Sequence, residues 1–222
     1  IVVVDYYSKD NTDYICRRFG AKFIQHPFEG HIQQKNYAIT KATHPHILSL
    51  DADEAPDETL QASIGQVKQN WQTDGYYFNR LTNYCGQWIR HSGWYPDRKL
   101  RLFDSRKGRW TGKNPHDRYE LEAGSTTEYL KGDLLHYSIS TIQQHIETTN
   151  KFSTLAAQAL YEKGKTSSTG KILIKSVAKF LRNYFLKGGF RDGYYGFLIC
   201  RISAFATFLR YAKLKEFNKN KQ

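Results

Sequence analysis

The stretch His46-Ile47-Leu48-Ser49-Leu50-Asp51-Ala52-Asp53-Glu54 decides how this chain is read. An apolar run of strand character stops at three carboxylates within four residues. Carboxylates crowded at the end of a strand repel one another and resist desolvation unless a positive partner sits between them. A divalent cation is the simplest partner, because Mg²⁺ and Mn²⁺ favour hard oxygen ligands, and such an ion could in turn hold a diphosphate. The alternative is a helix N-terminus, since Asp57 and Glu58 follow Pro56 and suit a helix dipole. That alternative accounts for Asp57 and Glu58 better than for Asp51 and Asp53.

Working outward, the first third of the chain alternates strand and helix signals. Residues 2–4 and 22–25 are short apolar strands, and 14–19 forms a helix closed by Gly20 after the capping residues Ser8-Lys9-Asp10-Asn11-Thr12. Residues 33–42 are helical, 46–50 is the third strand, and Pro56 starts a helix to about residue 68. This alternation predicts an α/β domain with a mainly parallel, Rossmann-like sheet. In such sheets ligands lie at the C-terminal ends of the strands, where Asp5 and Asp51-Ala52-Asp53 stand. Further strands are expected at 75–80, 99–103 and 129–135, and a helix over 140–160. Residues 164–170 form a flexible linker; they lack the spacing and the preceding strand of a phosphate-binding loop.

The charge is unevenly placed. The chain of 222 residues carries a net charge of +12, and residues 163–222 hold 14 Lys/Arg against only Asp192 and Glu216. The whole excess therefore belongs to the last quarter, which suits a catalytic domain (1–162) followed by a basic, amphipathic helical region (163–222) that meets an anionic surface. Helices are expected at 172–186 and 194–212. The second is interrupted by Arg201 and Arg210 and reads as interfacial rather than membrane-spanning, with a helix hairpin packed on the domain as the alternative. Cys16, Cys85 and Cys200 are odd in number and form no Cys-x-x-Cys, which points to a reducing compartment. Abundant aromatics (16 Tyr, 13 Phe, 4 Trp) exclude a disordered composition. Ile1-Val2-Val3-Val4-Asp5 reads as a strand rather than a signal peptide, and with no initiating Met the chain is expected to be a fragment.

Several segments resemble one family. Val3-Val4-Asp5-Tyr6-Tyr7-Ser8-Lys9-Asp10-Asn11-Thr12 resembles the Val-Asp-x-x-Ser-x-Asp-x-Thr segment of family 2 glycosyltransferases, which have the GT-A fold. Gln34-Lys35-Asn36 and Leu50-Asp51-Ala52-Asp53-Glu54 resemble motifs of the branch of lipopolysaccharide core β-1,4-glucosyltransferase-like proteins of bacteria. Residues 93–103, His136-Tyr137-Ser138 and Gly188-Gly189-Phe190-Arg191-Asp192-Gly193 match as well. The family's first strand has no counterpart ahead of Ile1, so the nucleotide pocket is expected to be incomplete. His116-Asp117 stands where the branch has His-Glu.

The resemblance implies an inverting transfer of a hexose, glucose by preference, from a nucleotide diphosphate sugar such as UDP-glucose to a lipid-linked or lipopolysaccharide core acceptor. It implies Mg²⁺ or Mn²⁺ on Asp51 and Asp53, steadying the departing diphosphate. Asp5, Lys35 and Asp51 would contact the nucleotide sugar, and Asp117 would be the general base. Each has a plainer alternative: a helix cap for Asp5, a solvated lysine for Lys35, a surface Asp for Asp117. Trp94, Arg98, Arg101 and His116 are possible donor or acceptor contacts. The protein would sit in the cytoplasm, peripheral on the inner face of the cytoplasmic membrane, with no nucleic-acid partner. The competing readings are a non-catalytic protein that binds anionic membranes or nucleic acid through its tail, and a nucleotidyltransferase or phosphohydrolase, which would need a second metal cluster.

Overall fold

The computed structural model describes residues 1–113 and 116–219, less the side chains of Lys113 and His116. Two short parallel strands open the chain, β1 (Val2–Asp5) and β2 (Lys22–Gln25), linked through helix α1 (Thr12–Arg18). Helix α2 (His31–Thr40), strand β3 (His46–Leu48), strand β4 (Glu54–Pro56) and helix α3 (Glu58–Gln69) follow. Helix α3 starts two residues later than expected because Asp57 is its N-cap, its carboxylate accepting from the Leu60 amide at 2.7 Å.

Strands β5 (Gly75–Tyr84), β6 (Gln87–Ile89), β7 (Asp97–Asp104), β8 (Gly108–Lys113), β9 (His116–Leu121) and β10 (Thr127–Ile139) complete the β structure. The main sheet has six strands in the order β3-β7-β5-β10-β4, with β6 on β5. Strands β1–β2 and β8–β9 form two-stranded sheets of their own. The parallel pairing expected of a Rossmann-like domain is present in β1–β2, whereas β3–β7, β5–β6 and β8–β9 are antiparallel. Short connections explain the β5–β6 hairpin. Its turn is only Cys85-Gly86, both at positive φ (50° and 92°), the sign a type I′ turn requires. The Asn83 carboxamide oxygen accepts from the Gly86 amide at 2.9 Å and closes that turn.

The last third is helical: α4 (Ile142–Glu162), α5 (Thr169–Leu181), a π-helical turn over Arg182–Leu186, and α6 (Gly193–Lys219). Among the described residues no helix is long and apolar enough to cross a membrane. The chain divides into two compact units, one of residues 1–52, 56–78 and 98–133, the other of residues 53–55, 79–97 and 134–222. The boundary expected at 162/163 falls inside the second unit, where α6 packs on both α4 and α5.

The first unit is built on Phe103, Trp110, Tyr119 and Leu100, with the Phe103 and Tyr119 rings stacked at 3.5 Å. The second has Tyr84, Ile89 and Ile199 at its centre, with Trp94 and Tyr195 packed around them. Here the Gly188–Gly193 segment finds its purpose. Asp192, 5% exposed, accepts from the amides of Arg90 and His91 and from the Ser92 hydroxyl, at 3.2, 2.9 and 3.1 Å. It staples the loop after β6 to the start of α6. The helix can come this close only because residue 196 is glycine: a Cβ there would lie 2.0 Å from the Gly189 carbonyl oxygen.

Candidate active site

In the first unit, Lys35 on α2 lies between two carboxylates. Its Nζ is 2.8 Å from Asp51 Oδ1 and 2.7 Å from Asp117 Oδ2. The second Asp51 oxygen, Oδ2, accepts from Arg101 Nη2 at 2.7 Å. Arg101 is 4% exposed, delivered from the buried part of β7. Both cations also lie against the indole of Trp110, at 4.4 Å for Lys35 and 5.3 Å for Arg101. An indole face attracts cations, so Trp110 steadies both charges where few waters reach.

The three residues Gln34-Lys35-Asn36 divide the work of placing that ammonium. The Asn36 carboxamide clips α2 to β8, donating to the Trp110 carbonyl and accepting from the Trp110 amide, each at 3.0 Å. Gln34 meets the His26 imidazole at 3.1 Å and ties α2 to the segment after β2. Lys35 is left pointing at Asp51 and Asp117. Burial pushes the Asp51 carboxyl up, but the Arg101 and Lys35 charges outweigh it and hold the group down at about 2. Asp51 is therefore fixed as a carboxylate throughout the physiological range.

Asp5 ends β1 as expected and is 8% exposed. Its carboxylate accepts from the Ser8 amide at 2.8 Å and the Ser8 hydroxyl at 2.5 Å, closing the turn after the strand. It does not cap α1, whose N-cap is Asn11. Arg98 lies with its guanidinium 5.4 Å over the Tyr129 ring. The side chain of His116 lies outside the described residues.

The second unit holds another polar group. Asp53 Oδ2 is 3.2 Å from His136 Nε2, and the Asp53 carbonyl accepts from the Tyr137 amide at 2.9 Å. Arg80 bridges Glu54 (Nη1 to Oε1, 3.4 Å) and Asp97 (Nη2 to Oδ2, 2.9 Å). Arg80, Asp97, His136 and Trp94 line one cleft of about 330 Å³. Among the described residues no group of three or more His, Cys, Asp or Glu side chains could hold a metal ion.

The structure thus brings Lys35, Asp51, Arg101 and Asp117 into one cluster, and adds Trp110 and Asn36. It gives Asp53 a different partner, His136. Trp110 was hidden in the sequence because its role depends on β8 lying beside α2. Glu54 and Arg80 gave a faint signal, an acidic residue ending the Asp-Ala-Asp run with no role assigned to it.

Residues 1–131 match the model of glycosyl transferase family 2. The chain belongs to that family. The matched span includes Asp5, Lys35, Asp51, Asp53 and Asp117. Among its family 2 relatives, an uncharacterized glycosyltransferase of Rickettsia bellii is 30% identical over 97% of this chain and 77% of its own length. The lipopolysaccharide core biosynthesis glycosyltransferase LpsC of Rhizobium meliloti is 29% identical over 96% of this chain and 82% of its own. The structure of S. aureus TarS in complex with UDP-GlcNAc superposes with a TM-score of 0.44 and 13% identity, over 100% of this chain and 82% of that one.

Proposed function

We propose that this family 2 glycosyltransferase is an inverting, metal-dependent hexosyltransferase. It moves a hexose, glucose by preference, from a UDP-sugar to an acceptor of the lipopolysaccharide core or another lipid-linked saccharide. The observation that carries the reading is Lys35 held between Asp51 and Asp117. One nearly buried ammonium joins the carboxylate at the end of the Leu48–Asp51 run to the carboxylate that matches the family's base. An arriving diphosphate offers Lys35 a new anion. Asp117, released from its partner, would then take the proton of the attacking acceptor hydroxyl. Asp5, already oriented by Ser8, would hydrogen-bond the nucleoside.

Asp53 and His136 supply two donors, so a divalent ion there would need the diphosphate to complete its ligands. A carboxylate oxygen and an imidazole nitrogen stand 3.2 Å apart, a mixed pair that suits Mn²⁺ better than Mg²⁺. Asp53 and His136 would hold the ion. Both oxygens of Asp51 accept from cations, so Asp51 would act chiefly as the anchor of Lys35 and Arg101. When bound, the ion would neutralise charge on the departing diphosphate.

The acceptor class is supported by the similarity to LpsC. A place on the inner face of the cytoplasmic membrane is supported by the helix pair α5–α6. Leu173, Val177 and Leu181 are 55%, 58% and 47% exposed, and Phe205 and Phe208 on α6 are exposed as well. Apolar side chains left uncovered on the helices of a basic region suit an interfacial position on a lipid surface.

The test is transfer from a panel of UDP-hexoses to core-truncated lipopolysaccharide, with Mn²⁺ or with EDTA. Asp117→Asn is expected to lower the rate about 10²–10⁴-fold with the fold intact. Asp53→Asn is expected to raise the Mn²⁺ requirement. NMR of the product should show the anomeric configuration opposite to the donor's. Retained configuration, or full activity in EDTA, removes the inverting or the metal-dependent part respectively.

A further inference from the structure

Two adjoining cavities in the second unit lie among α4, α5 and α6, of about 390 and 420 Å³. They share Lys179, Thr207 and Arg210, and the larger also has Lys175, Arg182 and Tyr211 on its wall. Among the described residues no carboxylate lines either one. Of the two carboxylates in residues 163–222, Asp192 is taken by the loop after β6. Glu216 is six residues beyond Arg210, roughly 120° away round α6 at about 3.6 residues per turn and nearly two turns along it.

Four cations thus converge on a walled space without an anion. Lys175, Lys179 and Arg182 stand at i, i+4 and i+7 on one stripe of α5 and its continuation, facing Arg210 across the gap. Arg210 Nε is buried and finds no hydrogen-bond partner among the described residues. Burial, together with the Arg182 and Arg210 charges, pushes the Lys179 ammonium below its ordinary value. Such an arrangement is unfavourable for an empty protein, and a bound anion relieves it.

Two further facts indicate what the anion is attached to. The smaller cavity continues from the cationic wall along hydroxyl groups of Thr149, Ser153 and Thr207, and Ile139 lies on both this cavity and the cleft of Trp94, Asp97 and His136. Hydroxyls set among the apolar side chains Ile139, Phe152, Ala156 and Ala206 suit a saccharide, which has polar edges and apolar faces. The cationic stripe also lies on the far side of α5 from exposed Leu173, Val177 and Leu181: Lys175 and Val177 are about 200° apart round the helix. A bilayer meeting the apolar side would leave the cavity facing away from its own headgroups.

We infer that the cavity walled by Lys175, Lys179, Arg182 and Arg210 binds a phosphate group carried by the saccharide acceptor. The inference rests on the proposed transferase reading for the word acceptor. The binding itself can be tested without any transfer, so failure of transfer and failure of the site are distinguishable.

The experiment is calorimetric titration of the whole chain at low salt with glucose 6-phosphate, glucose and inorganic phosphate. Glucose 6-phosphate is expected to bind at least about tenfold more tightly than either of the others. The double variant Lys179→Met/Arg210→Met should lose about tenfold or more of that affinity, and Lys179→Gln alone an intermediate amount. The charge-matched Lys163→Met/Lys165→Met should stay within about twofold. Thermal unfolding of the first double variant should be unchanged or raised, because like charges have been removed. Flotation on phosphatidylglycerol vesicles should be the same for the two double variants. Equal loss of sugar-phosphate affinity in both, or equal binding of glucose 6-phosphate and bare phosphate, overturns the inference. Vesicle binding that fails only in Lys179→Met/Arg210→Met, without sugar-phosphate binding, reassigns the cavity to a lipid headgroup and overturns it too.

Discussion

Lys35→Met is the perturbation that tests the centre of this structure most directly. Methionine keeps the length and apolar stem of the side chain and removes its charge. Asp51 contributes first. Its carboxyl moves from 3.8 to about 2 in the folded protein, which at about 1.4 kcal/mol per tenfold in proton affinity corresponds to roughly 2.4 kcal/mol. The Asp51 side chain is 34% exposed, and solvent screening reduces that to about 1.2 kcal/mol. Arg101 still holds the other oxygen, so Lys35 accounts for roughly half, about 0.6 kcal/mol. The Lys35–Asp117 pair is better covered, at 16% and 13%, and a charged hydrogen bond there contributes about 1.5–3 kcal/mol. The expected loss at pH 7 is therefore about 2–3.5 kcal/mol. The pH dependence follows from the sign. A carboxyl held low in the folded state contributes stability that is fully present above 3.8 and is lost as the pH falls towards 2. The Asp51 part of the Lys35→Met deficit should therefore shrink below pH 4 as that carboxylate protonates. The assay is urea unfolding from pH 7 to pH 3, with Asp117→Asn and the Lys35→Met/Asp117→Asn double variant closing the cycle. The double should be less destabilised than the sum of the singles by at least about 1 kcal/mol. A Lys35→Met loss under about 0.5 kcal/mol, or a strictly additive cycle, would show that Lys35 is a solvated lysine and not the bridge described.

Two further predictions concern the second unit. Burial holds the His145 imidazole down at about 4, against 6.5 in the unfolded chain, and its Nδ1 lies 3.0 Å from the Tyr84 hydroxyl. The unfolded chain therefore binds a proton that the folded one refuses, and stability should fall by up to roughly 3 kcal/mol as the pH drops from 6.5 towards 4. Unfolding free energies of His145→Gln should be flatter across that window, and an unchanged slope refutes the assignment. Asp192→Ala strips the acceptor from the Arg90 and His91 amides and the Ser92 hydroxyl, leaving buried donors unpaired. A loss of about 3–5 kcal/mol in chemical denaturation is expected, and a loss below about 1 kcal/mol means the staple is not structural.

The legible part of the fold was the part that depends on local order. Apolar runs placed β1, β2 and β3 closely, and Asp57 was visible as helix-terminal chemistry before it was seen to cap α3. Helix α6 ran seven residues past its expected end at 212 because Leu214 is fully buried and keeps the apolar face going. The antiparallel pairing of β3–β7 and β5–β6 was harder to foresee. Strand direction depends on how short connections fold back, and the β5–β6 turn is set by two residues whose positive φ a propensity argument for Cys85 would not suggest.

Within the candidate site, the sequence named Lys35, Asp51, Asp53, Asp117 and Arg101 as residue types suited to handling a diphosphate and a proton. Position after an apolar strand brought out Asp51 and Asp53, since such carboxylates need cations, whereas Asp117 was named through the family resemblance. Which cation meets which carboxylate is a matter of distance between elements up to 82 residues apart. Only the folded chain sets Lys35 between Asp51 and Asp117, lays both cations on Trp110 and turns Asp53 to His136. In the tail, the sequence determined the amount of positive charge, while the tertiary structure decided its arrangement. The stripe of α5 and the turn of α6 bring four of those charges to one cavity and leave the apolar side chains uncovered on the other side, because helical geometry sorts residues by angle rather than by position in the chain.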